Sequence, residues 1–457
     1  MLLLELALVA LCLLMLRAAY RGEWLLACPT HFIALYFLMI FFGLNSIYSI
    51  GVDSANSIGL TVRPSLIITV WVFPVAFCLA SLAILSLPRL RRRPRLSWVS
   101  PSGKGTVVSC IVMLILGAVL FGLYWRRLGS LPILMSVQGT IESTSELRRA
   151  STMLYSGLLR RIWLIFCRYM LVLVSLSMYI EWRVSKTRIL KAITVISVCL
   201  TSLVLIADTQ KAQLVFFMFQ LFLLESIYRY IEYGQHPSIG RYVPWTAAAL
   251  LVVIGLYVCT MDIVRPMGHL GDKVGYAIGA IIRRTTITQA LPLVVIFGDV
   301  PDCMPLLLGA TWPNWGVLPH DQFDLSQYAF WRLYGIPGGA ASTLFLGETY
   351  ANWGLGGMIV AILGFSMAMP FAHILLMNRC KNAQGIATYA FLSGYLMRLA
   401  ITQVSMGLGL PLFTLVVFRA VCLFAKTVIP VSMRPTPLSR AGGYAGFEEE
   451  RSSCTNG

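Results

Sequence analysis

The chain has 457 residues, of which 58% are hydrophobic and 12% charged, whereas a soluble globular domain carries about 25% charged residues. The mean hydropathy is +0.78. These values exclude a soluble enzyme and leave a polytopic helical membrane protein. The formal charge of +17 does not point to nucleic acid. The Lys and Arg residues fall in short loops between apolar runs, where the positive-inside bias places them.

Apolar runs, each about the length that crosses a bilayer, recur at 2–16, 30–50, 64–87, 105–125, 160–180, 189–207, 211–231, 243–262, 345–376, 385–405 and 408–430. No basic residue precedes the first run, so it reads as a retained helix and not as a cleaved signal peptide. A twelfth stretch at 278–298 is interrupted by Arg283 and Arg284. It is either a helix facing a wet cavity or an in-plane segment. The expectation is an all-α membrane domain over 1–432 with 11–12 transmembrane helices, followed by a disordered tail at 433–457.

The loops set the orientation. Residues 88–104 hold Arg89, Arg91, Arg92, Arg93, Arg95 and Lys104, and 181–191 hold Arg183, Lys186, Arg188 and Lys191. Arg229 and Arg241 flank a third loop, and Arg379 and Lys381 a fourth. These loops are expected in the cytoplasm together with the tail, which leaves 126–158 and 263–344 as external loops. The second is the larger. Its part from 299 to 344 is rich in Pro, Gly and Trp, including Trp312, Trp315 and Trp331. Such rings sit at membrane interfaces and also stack on sugars.

Seven of the 11 cysteines (Cys12, Cys78, Cys110, Cys167, Cys199, Cys259 and Cys422) lie inside apolar runs, and no CxxC or Cys/His spacing occurs. They read as small hydrophobes, with no disulfide framework or metal site expected. Asp321 and Asp324 do not form the D-x-D that holds a divalent ion in nucleotide-sugar enzymes. No P-loop, dinucleotide fingerprint or GxSxG is present, and no cofactor is expected.

The most informative segment is Gly347-Glu348-Thr349-Tyr350-Ala351-Asn352-Trp353-Gly354, at the mouth of the 345–376 run. Ionisable groups at membrane depth are costly and persist mainly where they line a cavity or do work. Glu348 and Asn352 are four apart and share a helix face. Gly347, Ala351 and Gly354 form a small-residue face that admits a neighbouring helix.

Four pieces in this order resemble the Wzy-type oligosaccharide repeat-unit polymerases. They are Gly129-Ser130-Leu131-Pro132 with Arg148 and Arg149 downstream; the turn Ala207-Asp208-Thr209-Gln210-Lys211; Arg283-Arg284-Thr285-Thr286; and Tyr334-Gly335, Gly339-Ala340-Ala341-Ser342-Thr343, then the 347–354 run. Trp353 stands where Phe is commoner in that family, and the first loop reads SLP in place of GIP. The resemblance implies a GT-C-like glycosyltransferase that uses glycans linked to undecaprenyl pyrophosphate. It would work at the periplasmic face of a bacterial inner membrane and build O-antigen or capsule. A chain-length regulator and a flippase are the implied partners, beside the bilayer.

Transfer from a polyprenyl pyrophosphate needs a base near the acceptor hydroxyl and cations for the leaving group, a role that suits Arg. Glu348 is the expected base, with Arg283 and Arg284 as catalytic cations. Arg148, Arg149, Lys211, Arg265 and Arg398 are further phosphate ligands. Tyr334, Ser342, Tyr350 and Asn352 are expected substrate contacts, and His320 is an alternative base. Two rival readings stand. One is an O-antigen ligase, which pairs Arg with His in a larger external loop. The other is a lipid-linked oligosaccharide flippase or transporter, which usually shows two similar halves; no internal repeat is evident here.

Overall fold

The computed structural model describes residues 10, 11, 14, 15, 40, 43, 44, 47, 64–86, 99, 101–138, 157–207, 211–233, 239–260, 267–312, 322–336, 339–379, 382–401 and 409–428. Among them the chain is helical and contains no strand element. The helices are α1 (Pro64–Ser86), α2 (Lys104–Leu128), α3 (Pro132–Gln138), α4 (Gly157–Trp163), α5 (Leu171–Ser185), α6 (Arg188–Ile206) and α7 (Lys211–Tyr233). They continue with α8 (Ile239–Thr260), α9 (Leu270–Thr285), α10 (Ile287–Asp299), α11 (Leu325–Tyr334), α12 (Leu344–Arg379), α13 (Ala383–Ile401) and α14 (Gly409–Val428). Among the described residues, six helical stretches are long and apolar enough to cross a membrane: Lys104–Leu128, Leu159–Ser185, Arg188–Ile206, Ala212–Glu232, Leu270–Asp299 and Leu344–Leu375. This is the make-up of a polytopic membrane protein. The expected runs at 2–16 and 30–50 fall mostly, and the tail at 433–457 wholly, outside the described residues.

Local chemistry explains the turns. Gly129, at φ 79°, closes α2 by donating its N–H to the Trp125 carbonyl, the usual work of a left-handed terminal residue. Lys186, at φ 56°, does the same for α5 through Trp182, and α6 begins two residues later. Connections this short place neighbouring helices antiparallel. Two sets of long-range bonds agree. At one end the Ser102 N–H donates to Glu181 and the Gln384 N–H donates to the Ser102 hydroxyl, each at 2.9 Å. At the other end the Ile133 N–H donates to the Ala207 carbonyl, and Arg398 donates to Gln213 at 3.0 Å. Arg183, Lys186, Arg188 and Arg229 belong to the first end. There Glu225 accepts both an Nε and an NH2 bond from Arg183 and a third from Arg229.

Two apolar cores share α13. The larger joins α2, α5, α7, α13 and α14. The smaller joins α1, α10 and α12 and takes Met397 from α13. Between α4 and α5 the backbone is π-helical over Leu164–Met170, a local widening frequent at functional sites.

Two sequence expectations need correction. The stretch 263–344, expected as an external loop apart from the apolar run at 278–298, carries more helix than that run alone: α9 begins at Leu270, and α11 is added at Leu325–Tyr334. The run at 345–376 is not one regular helix, because Gly354 leaves helical space at φ 65°, ψ −159° and divides α12. Before the break, Thr343 to Thr349 are all buried, as are Ala351 and Asn352. After it, Leu355, Ile359, Val360, Leu363 and Met367 are exposed at helical spacing, the pattern of a lipid-facing stripe.

Candidate functional site: an arginine-lined cavity

The stretch 278–298 resolves into the end of α9 and all of α10, joined at Thr286 (φ −107°, ψ −82°). Of α9, only Ala277 is buried. Arg283 and Arg284 occupy its last turn, where positive charge complements the helix dipole. By contrast, α10 is buried from Ala290 to Phe297. The break therefore sets two cations at the edge of the smaller core.

These arginines line a cavity of about 510 Å³. Its other walls are Tyr257 from α8, Tyr276 from α9, Thr288 and Gln289 from α10, Phe330 and Tyr334 from α11, and 340–342 from the approach to α12. Both arginines are exposed, and neither has an ion-pair partner among the described residues. Phe330 and Tyr334 stand 4.7 Å apart between ring centroids. Gly339 lies against the Phe330 ring, where a Cβ would collide with it. The cavity thus offers two unpaired guanidinium groups, several hydroxyls and an aromatic wall. Guanidinium binds phosphate or carboxylate through forked N–H donors. Four of the residues singled out by sequence (Arg283, Arg284, Tyr334 and Ser342) converge here.

Glu348 and Asn352 do not line this cavity. Glu348 is 1% exposed and Asn352 fully buried. The Thr311 hydroxyl donates to Glu348 Oε1 at 3.0 Å. Asn352 Nδ2 donates to Thr311 Oγ1 and to the Glu348 carbonyl at 2.8 and 2.7 Å. Asn352 Oδ1 accepts from the Gly309 N–H at 2.8 Å. The break at Gly354 interrupts the helical ladder, and the carbonyls of Ala351 and Asn352 accept from the N–H groups of Leu307 and Leu308. Trp312 meets Trp353 edge to face, with centroids 6.1 Å apart. The shared face of Glu348 and Asn352 is real, and it clasps the 305–312 segment; neither residue lines the cavity that Arg283 and Arg284 line. Of the small-residue face, Gly347 packs against Ile296 and Leu293 of α10 and Ala351 shares a core with Ile296, whereas Gly354 breaks the helix instead. Tyr350 stacks on Phe297 with centroids 3.9 Å apart and donates to the Val300 carbonyl, so it too serves packing.

A further clasp ties α10 to α11. Asp299 is 1% exposed. It accepts two bonds from Arg332 and one from the Tyr328 hydroxyl, all at 2.8 Å. Burial, followed by the bond to Asp299, pushes the Tyr328 hydroxyl up to about 12. The same carboxylate holds Arg332 above the ordinary arginine value.

The remaining expected ligands are dispersed. Arg398 bonds Gln213 and lies within electrostatic reach of Arg168, which sits over the Trp163 ring. Lys211 starts α7. Arg148, Arg149, Arg265 and His320 lie outside the described residues, and so does the Lys211 side chain. Sequence reasoning missed Gln289, Thr311 and the Asp299–Arg332 pair. A charge inside an apolar run was available to flag Arg168; nothing local marked Thr311. Comparison with family models, with curated proteins and with solved structures returns no match for this chain.

Proposed function

We propose that this protein is a membrane glycosyltransferase that polymerises lipid-linked oligosaccharide repeat units, and that the arginine-lined cavity holds the pyrophosphate of the donor. The observation that carries the reading is the pair Arg283 and Arg284. Both are unpaired among the described residues and border a cavity shared with Tyr334 and Ser342. Two uncompensated cations beside apolar helices call for an anionic ligand. Tyr257 near the end of α8 and residues 340–342 before α12 put the cavity at the end of the bundle opposite Arg183, Lys186 and Arg229 of the basic loops. With those loops in the cytoplasm, the cavity faces the periplasm of a bacterial inner membrane, where undecaprenyl-pyrophosphate-linked glycans are polymerised.

In the proposed reaction an acceptor-sugar hydroxyl attacks the anomeric carbon of the donor glycan. The bond from that carbon to the pyrophosphate oxygen breaks, and the hydroxyl proton passes to a base. Negative charge grows on the departing lipid pyrophosphate. Preplaced guanidinium groups stabilise that growth without reorganising. Glu348 is proposed to act through the clasp on 305–312 and not as the base.

The test is surface glycan from a strain lacking the gene. Cores capped with one repeat support the polymerase. Bare cores refute it and indicate a ligase or a flippase; the face on which lipid-linked precursor accumulates separates those two.

A further inference from the structure

Gln289 has lost its customary partner. Thr286-Ile287-Thr288-Gln289 spells T-x-x-Q, the capping-box pattern in which the fourth side chain bonds the N–H of the first residue. Here α9 runs into α10 with no loop between them, and Thr286 serves both helices. Its N–H and its hydroxyl both donate to the Ile282 carbonyl, at 3.1 and 2.8 Å, and its side chain makes no cap bond to α10. The Gln289 side-chain oxygen is left buried with no hydrogen-bond partner among the described residues, on a residue that lines the cavity. Buried polar atoms are normally satisfied, and an exception asks for an explanation.

We infer that Gln289 reads a sugar hydroxyl beside the pyrophosphate and so is a specificity-determining residue of this cavity. This rests on the reading of the cavity as the donor site. An amide oxygen accepts only. It accepts a hydrogen bond from a hydroxyl and repels a phosphate oxygen, whereas Arg283 and Arg284 donate only and suit the phosphates. Phe330 and Tyr334 supply an apolar wall against which a sugar ring can lie. Acceptor, donors and aromatic wall together define a glycosyl pyrophosphate better than a bare lipid pyrophosphate.

Binding of two kinds of probe to the full-length protein in detergent tests this. One is farnesyl pyrophosphate; the other is the same lipid pyrophosphate bearing glucose, galactose or N-acetylglucosamine. Wild type is expected to bind at least one glycosylated probe about tenfold more tightly than the bare one. Gln289→Leu is expected to abolish that advantage while leaving bare-probe affinity within about twofold, since it removes one hydrogen bond and no charge. The Leu variant breaks no internal bond, so its melting temperature should not fall; Gln289→Met serves as a second apolar replacement. An advantage that survives both variants, or the absence of any advantage in wild type, overturns the role of Gln289. Weaker binding of the bare probe by the variants also overturns it, because the amide would then serve the phosphate. If wild type and Arg283→Ala/Arg284→Ala bind farnesyl pyrophosphate equally, or neither binds it, the donor-site reading itself fails and the inference falls with it.

Discussion

Thr311 donates its hydroxyl to Glu348 at 3.0 Å, a bond spanning 37 residues that joins the 305–312 segment to α12. Thr311→Val removes that bond and a partner of Asn352. Leaving a buried polar group without its hydrogen bond costs about 1–3 kcal/mol. Thermal unfolding in detergent is expected to show this loss for Thr311→Val. Glu348→Leu should be at least as severe, and Glu348→Gln, which keeps an acceptor, milder. If Glu348→Gln melts like wild type yet yields only single-repeat glycan, Glu348 belongs to the chemistry and not to the clasp alone.

Arg283→Ala and Arg284→Ala remove exposed side chains that are unpaired among the described residues. Each should change stability by no more than about 0.5 kcal/mol, as surface substitutions do. The glycan ladder should shift to shorter chains in each single variant and collapse in the double variant. Lys at both positions should restore activity only in part, because an ammonium keeps the charge and loses the fork. A wild-type ladder in the double alanine variant would reject the cavity as the donor site.

Gly354 occupies φ 65°, ψ −159°, a region nearly closed to residues with a Cβ. Gly354→Ala is expected to destabilise by about 1–3 kcal/mol. It should also loosen the contacts that Leu307 and Leu308 make to Ala351 and Asn352. Hydrogen exchange at those two amides, faster in the variant than in wild type, is the check; unchanged protection would mean that the break does not govern docking.

Arg332→Met strands a nearly buried carboxylate. Breaking a buried ion pair from one side costs about 3–5 kcal/mol. Arg332 retains 32% exposure of its side chain, so screening reduces this to about 2–3 kcal/mol. The double variant Asp299→Asn, Arg332→Met should recover much of the loss, because no charge is then left alone and Tyr328 keeps its acceptor. A double variant as unstable as Arg332→Met would show that packing, not charge, dominates this junction.

The runs at 105–125, 160–180, 189–207 and 211–231 lie within the observed helices or overrun them by one residue. They were legible because apolar composition and the absence of breakers are local properties. Of the three helices within 263–344, the apolar stretch 278–298 marked α10 and the end of α9; the start of α9 and all of α11 were not marked. Arg283 and Arg284 interrupt the apolar pattern, and the Pro- and Trp-rich stretch after Asp299 has the composition of a loop. The polar residues were named individually and mostly misgrouped. Glu348 and the arginines share charge complementarity in the sequence, but α12 turns Glu348 toward Thr311 while the α9–α10 break turns Arg283 and Arg284 toward Tyr334.

Composition and apolar periodicity settle that the chain is helical and suited to a bilayer, since a buried backbone in lipid must bond to itself and a helix does so without distant partners. Which polar groups meet, and which of them face open space, depends on how helices far apart in sequence cross. Thr311 beside Glu348, Arg283 and Arg284 beside Tyr334 and Ser342, and Gln289 beside none of the partners its motif promises are outcomes of that packing. No window of neighbouring residues encodes them.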